Sequence, residues 1–96
     1  MTPEHGGKVE LKLGRSGPEE AEYGAQLQTA KHIYRGTARV GGNQVTFSDW
    51  QTDAAEAPPE WLLADARAAL KTALRTSQAE GRWPRRITRW RPEPSE

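Results

Sequence analysis

A chain of 96 residues has room for one domain, and its 14 Lys and Arg against 13 Asp and Glu leave a formal net charge of +1, which excludes a uniformly basic protein and a long charged tail. Only 34% of residues are apolar, and Leu, Ile, Val and Phe together number 13, so the four Trp, each covering roughly 150–250 Å² when buried, must supply part of the core. The absence of cysteine excludes a disulfide framework, a thiolate metal site and a cysteine nucleophile. With no secretory leader and no apolar run approaching the roughly 20 residues that span a bilayer, the expectation is a soluble cytoplasmic protein. Ten Arg to four Lys, with abundant Ala, match the usage of a GC-rich bacterial genome.

Residues 1–7 read as a flexible lead-in with nothing to bury. From Lys8 to Leu13 the chain alternates strictly, with Val9, Leu11 and Leu13 on one face, which predicts a half-buried strand. Gly14 to Pro18 carries turn residues. Residues 19–29 fit two patterns. A helix starting at Pro18 would group Tyr23, Leu27 and Ala30, but Tyr23, Ala25 and Leu27 also alternate. Gly24 costs a short helix about 1 kcal/mol, so the extended form is preferred.

His32–Val40 and Gln44–Trp50 flank Gly41-Gly42-Asn43. A two-residue turn at Gly42-Asn43 sets Val40 opposite Val45 and Ala38 opposite Phe47, and predicts a hairpin. Continued at period two, that register places Arg35 against Trp50 on the outer face. Residues 52–58 form a connector. A helix follows from Pro59 to Glu80, with Pro59 at its first position, Gly81 just past its end and Pro84 blocking continuation. Leu63, Ala66, Leu70, Ala73, Leu74 and Ser77 form its apolar stripe, widened by Leu62 and Ala69. Trp61 lies off that stripe and is expected to pack on the connector near Pro58 and Pro59.

The fold class that follows is α+β: a small antiparallel sheet of three strands, four if residues 19–29 are extended, with one long C-terminal helix on one face. An Arg/Trp-rich segment then covers an edge or end. The domain spans residues 8–91, and 92–96 form a disordered tail.

Catalysis has little to stand on. His5 and His32 are the only histidines, and no phosphate-binding glycine loop is present. A cluster of Ser48, Asp49 and His32 fails because neighbours on a regular strand point to opposite faces. No enzyme, cofactor or metal is expected.

Charge distribution says more. Residues 1–66 carry a net −4 and residues 67–92 a net +7. Arg67, Lys71 and Arg75 lie at i, i+4 and i+8 on one helix flank, where like charges repel slightly. Arg82, Trp83, Arg85, Arg86, Arg89, Trp90 and Arg91 then interleave a guanidinium fork for phosphate with indole faces for unpaired bases. The competing structural reading makes Trp83, Ile87 and Trp90 one buried helical face at i, i+4 and i+7. In it the Arg residues are solvated or paired with Glu19, Glu20, Glu22, Asp49 or Asp53. The functional expectation is a non-enzymatic module that binds a polyanion, nucleic acid first, through these ten residues. The alternative is a protein-interaction or homodimerisation domain whose basic third meets an acidic surface; the chain is then a monomer or a homodimer.

Overall fold

The structure, a computed structural model, describes residues 6–52 and 57–92. His5, Asp53 and the last four residues lie outside this range. Five strands form one antiparallel sheet in the order β4-β3-β2-β1-β5: β1 (Gly6–Ser16), β2 (Glu20–Gln28), β3 (Ile33–Gly41), β4 (Gln44–Thr52) and β5 (Arg86–Pro92). Helix α1 (Glu60–Glu80) carries the chain from the β4 edge to the β5 edge. At 1.5 Å per residue its 21 residues are about 31 Å long, enough to cross the sheet.

Period-two patterning decides the inner face. Val9, Leu11, Tyr23, Ala25, Leu27, Tyr34, Ala38 and Val40 are buried beneath the helix, and their sequence neighbours point away. Residues 19–29 are therefore extended, and Gly24 pairs with Lys12 and Thr37. The hairpin register is as expected, Val40 with Val45 and Ala38 with Phe47. Gly42 and Asn43 have φ of 56° and 63°, the doubly left-handed turn that suits the strand twist.

On α1, Leu62, Ala66, Ala69, Leu70, Ala73, Leu74 and Ser77 are buried. The stripe therefore centres on Leu62, and Leu63 is half-buried at its border. Each fully covered Leu contributes about 1.5–3 kcal/mol, and the Ala positions let the helix approach the strands closely. Pro59 sits at the cap with ψ of 140°, one residue outside the helix, and its carbonyl accepts from the Leu62 and Leu63 N–H groups. Gly81, at φ 76°, ends the helix and donates its N–H to the Ser77 carbonyl at 2.8 Å.

Two elements differ from the sequence expectation. The sheet has five strands because residues 86–92 pair with β1 from Gly6 to Lys12. The Arg/Trp segment is thus an edge strand, and β1 begins inside the stretch read as a lead-in. The second difference is Trp50, which does not meet Arg35 on the outer face. A bulge at Asp49 (φ 59°) shifts the register, so that Arg35 pairs with Gln51. The Trp50 ring turns to the helix side, stacks on Phe47 at 5.8 Å and covers Gly36, where a Cβ would lie 2.6 Å from the indole.

Candidate nucleic-acid interface

The ten expected site residues do not form one surface. Alternation along β5 divides them: Ile87, Arg89 and Arg91 pair with Leu11, Val9 and Gly7 on the helix side, while Arg86, Thr88 and Trp90 pair with Lys12, Glu10 and Lys8 on the open side. On the helix side, Arg89 Nη1 approaches Asp65 Oδ1 at 3.9 Å and clasps α1 to the β5 edge. The carboxylate is largely buried and its Oδ2 has no hydrogen-bond partner among the described residues. Arg67 lies on the opposite flank, 5.9 Å over the Phe47 ring on the β4 edge and 3.3 Å from Glu60. Lys71 and Arg75 continue that flank into solvent, and Arg75 donates to Thr72 Oγ1 at 3.4 Å.

The α1–β5 connection is tied down on both sides. Trp83 is buried and its indole N–H donates to the Gly17 carbonyl at 3.0 Å. The Tyr23 hydroxyl donates to the Pro84 carbonyl at 2.6 Å, and burial pushes its pKa up to about 12. Arg82 and Arg85 stand exposed beside these anchors. Trp83, Ile87 and Trp90 do not share a helical face, because Trp83 lies in the connection before β5 and the other two lie on the strand: Trp83 is core, Ile87 is half-buried and Trp90 is 54% exposed. Trp61 is half-buried over the start of β1, where a Cβ at Gly7 would lie 3.0 Å from its ring.

Of the acids expected to neutralise the basic third, Glu22 pairs instead with Arg15 at 3.4 Å and Arg39 at 3.1 Å. Among the described residues, no acid from the first 52 forms an ion pair with an Arg or Lys of residues 67–92. Asp49 accepts from the Ser48 hydroxyl at 3.4 Å, since the bulge brings these neighbours together. Ser48 faces Thr37 on β3, five residues from His32, about 17 Å at strand rise, so the imagined triad is not assembled. No group of three or more metal-ligating side chains occurs among the described residues, and no helix there is long and apolar enough to cross a membrane.

What sequence reasoning missed is the open face of the sheet. Register sets its side chains in cross-sheet rows: Ile33, Gln28, Lys8 and Trp90; then Gln51, Arg35, Gln26, Glu10 and Thr88; then Ser48, Thr37, Gly24, Lys12 and Arg86; then Thr46, Arg39, Glu22 and Arg15. Among the described residues this face holds six basic side chains, Lys8, Lys12, Arg15, Arg35, Arg39 and Arg86, against Glu10, Glu20 and Glu22, with the Asp49 carboxylate beside Ser48 at its β4 edge. Lys8 is bound to Glu10 at 2.7 Å. That hydrogen bond lowers the Glu10 pKa and outweighs burial, which raises it; the charges of Lys8 and Arg86 lower it further. Arg35 donates to Gln26 at 3.2 Å. Lys12, Arg35 and Arg86 make no ion pair with a described carboxylate. Alternation of β1 and β5 carries the signal for this face, but it is readable only once the two strands are known to be neighbours. Compared with known proteins, the chain matches no family model, no curated protein and no solved structure.

Proposed function

We propose that the protein is a non-enzymatic binding module that takes nucleic acid on the open face of its sheet. One observation carries this reading: an exposed indole, Trp90, stands on the same face as Lys12, Arg35 and Arg86, cations that make no ion pair with a described carboxylate. An indole offers a stacking surface for a base, and the cations offer phosphate contacts. The helix flank of Arg67, Lys71 and Arg75 lies on the other side of the sheet and plays no part in this surface.

Anisotropy titration of labelled mixed-sequence oligonucleotides at low and moderate salt tests the reading. Three phosphate contacts by Lys12, Arg35 and Arg86 give a log–log salt slope of about −2 on a single strand, at roughly 0.7 per contact. The pair Lys12→Glu and Arg86→Glu abolishes binding, whereas Lys71→Glu with Arg75→Glu leaves most of it. Loss of binding only in the helix-flank variant contradicts this placement. Self-association through a basic and an acidic surface is the rival, and light scattering that shows a salt-sensitive dimer would support it.

A further inference from the structure

Gly24 sits in the interior of the central strand β2, exposed on the open face between Lys12 on β1 and Thr37 on β3. Nothing in the fold asks for glycine there. Its φ is not positive, and a Cβ would meet only the Lys12 carbonyl at 3.8 Å, an ordinary contact. Gly6, Gly7 and Gly36 are confined, a Cβ lying 2.7 Å from the Arg91 carbonyl, 2.6 Å from Leu62 and 2.6 Å from Trp50 respectively, while Gly14, where a Cβ would lie 3.4 Å from the Glu22 carbonyl, sits at the register shift of β1. A glycine in a strand interior weakens the strand, and where no local geometry requires it, it marks a place where something outside the chain approaches the backbone.

Around it the open face is low and polar. Thr37 and Ser48 continue its row on one side and Lys12 and Arg86 on the other, with Arg35 and Gln26 in the row above. Trp90 lies two strands away and two rows along, about 16 Å from Gly24 at ordinary strand spacings. That path holds about three to five nucleotides, at roughly 3.4 Å each when stacked. It is lined by Lys8, Lys12, Thr88 and Arg86, with Glu10 at its centre, its charge held by Lys8 at 2.7 Å. A duplex keeps its bases paired and gives an indole on a shallow sheet nothing to stack on, whereas a single strand offers both free base faces and a backbone that can lie on a flat floor.

Resting on the nucleic-acid reading, we infer that the ligand is single-stranded. It stacks one base on Trp90 and presses its chain against the bare backbone at Gly24, which makes Gly24 a binding position rather than a structural one.

The test exploits opposite signs. Gly24→Thr fills open space on an extended strand with a strand-favouring residue, so its melting temperature rises by about 2–6 °C, while affinity for a single-stranded ten-nucleotide probe falls at least about tenfold. Gly24→Ala, a milder change, gives a smaller loss of affinity and no loss of stability. Trp90→Ala weakens the same probe by roughly tenfold or more, and Trp90→Phe keeps a good part of it. An unlabelled duplex of the same sequence competes at least about tenfold less well than the single strand. Wild-type protein that binds no oligonucleotide at low salt overturns both this inference and the reading beneath it. Duplex competing equally with single strand, or Gly24→Thr binding as tightly as wild type, overturns the inference alone.

Discussion

Replacing Tyr23 by Phe removes one hydroxyl from a ring with no exposed surface, and with it the 2.6 Å hydrogen bond to the Pro84 carbonyl. The ring still fills the core, so no cavity term arises. What is lost is the net value of the bond, about 0.5–1.5 kcal/mol, plus part of the cost of a carbonyl left without its donor, for a total of about 1–2 kcal/mol at neutral pH. For a chain of this size that lowers the melting temperature by roughly 5–10 °C. The pH dependence adds an independent signature. Burial raises the Tyr23 pKa from an ordinary 10 to about 12, so the folded state holds this proton more tightly than the unfolded state. The stabilisation is therefore complete below pH 10 and is lost as pH rises towards 12. At 1.36 kcal/mol per unit the loss is about 2–3 kcal/mol in the wild type and absent in Tyr23→Phe. Contributions common to both proteins cancel in the difference. Urea unfolding from pH 7 to 12 should give two stability curves that converge above pH 10 and cross near pH 11. A gap that stays constant across that range, or a Tyr23→Phe protein as stable as wild type at pH 7, refutes the anchoring role given to this hydroxyl.

Gly36→Ala drives a Cβ to 2.6 Å from the Trp50 indole and 2.8 Å from the Ser48 carbonyl, so it should cost about 1–3 kcal/mol in chemical denaturation; a neutral effect argues against Trp50 on the helix side. The two C-terminal indoles should separate cleanly. Trp83→Ala loses a buried ring and its bond to Gly17, at about 3–5 kcal/mol, whereas Trp90→Ala stays within about 0.5 kcal/mol of wild type. Equal costs would mean that Trp90 is covered. Lys8→Met removes the hydrogen bond and charge that lower the Glu10 pKa, so the Glu10 carboxyl titration followed by NMR should move up towards the ordinary carboxylate range; an unmoved titration disproves the pairing.

The hairpin around Gly42-Asn43 and helix α1 are legible in the sequence because local chemistry and burial agree there: turn residues match the required φ, and the apolar stripe keeps the helical period. Trp50 was misplaced because counting by two assumes an unbroken strand. Asp49 breaks it, in a conformation that Asp tolerates better than most residues, and the one available hint was a glycine, Gly36, opposite a large ring. β5 was harder. As an edge strand it buries only part of Ile87 on its inner face, so it shows no apolar alternation, and its Trp spacing imitates a helix. The charge segregation of the C-terminal third was visible. Its division into three surfaces was not, since the open face joins Lys8 and Lys12 to Arg86 and Trp90 across some 75 residues of chain.

Backbone amide chemical-shift mapping with a short single-stranded oligonucleotide tests the central claim most directly, because it asks which face responds. The account predicts the largest shifts at Lys8, Lys12, Gly24, Arg35 and Arg86 and at the Trp90 indole N–H, with the Trp83 indole and the exposed flank of α1 unmoved. Shifts concentrated on Arg67, Lys71 and Arg75, with the open face silent, would contradict it.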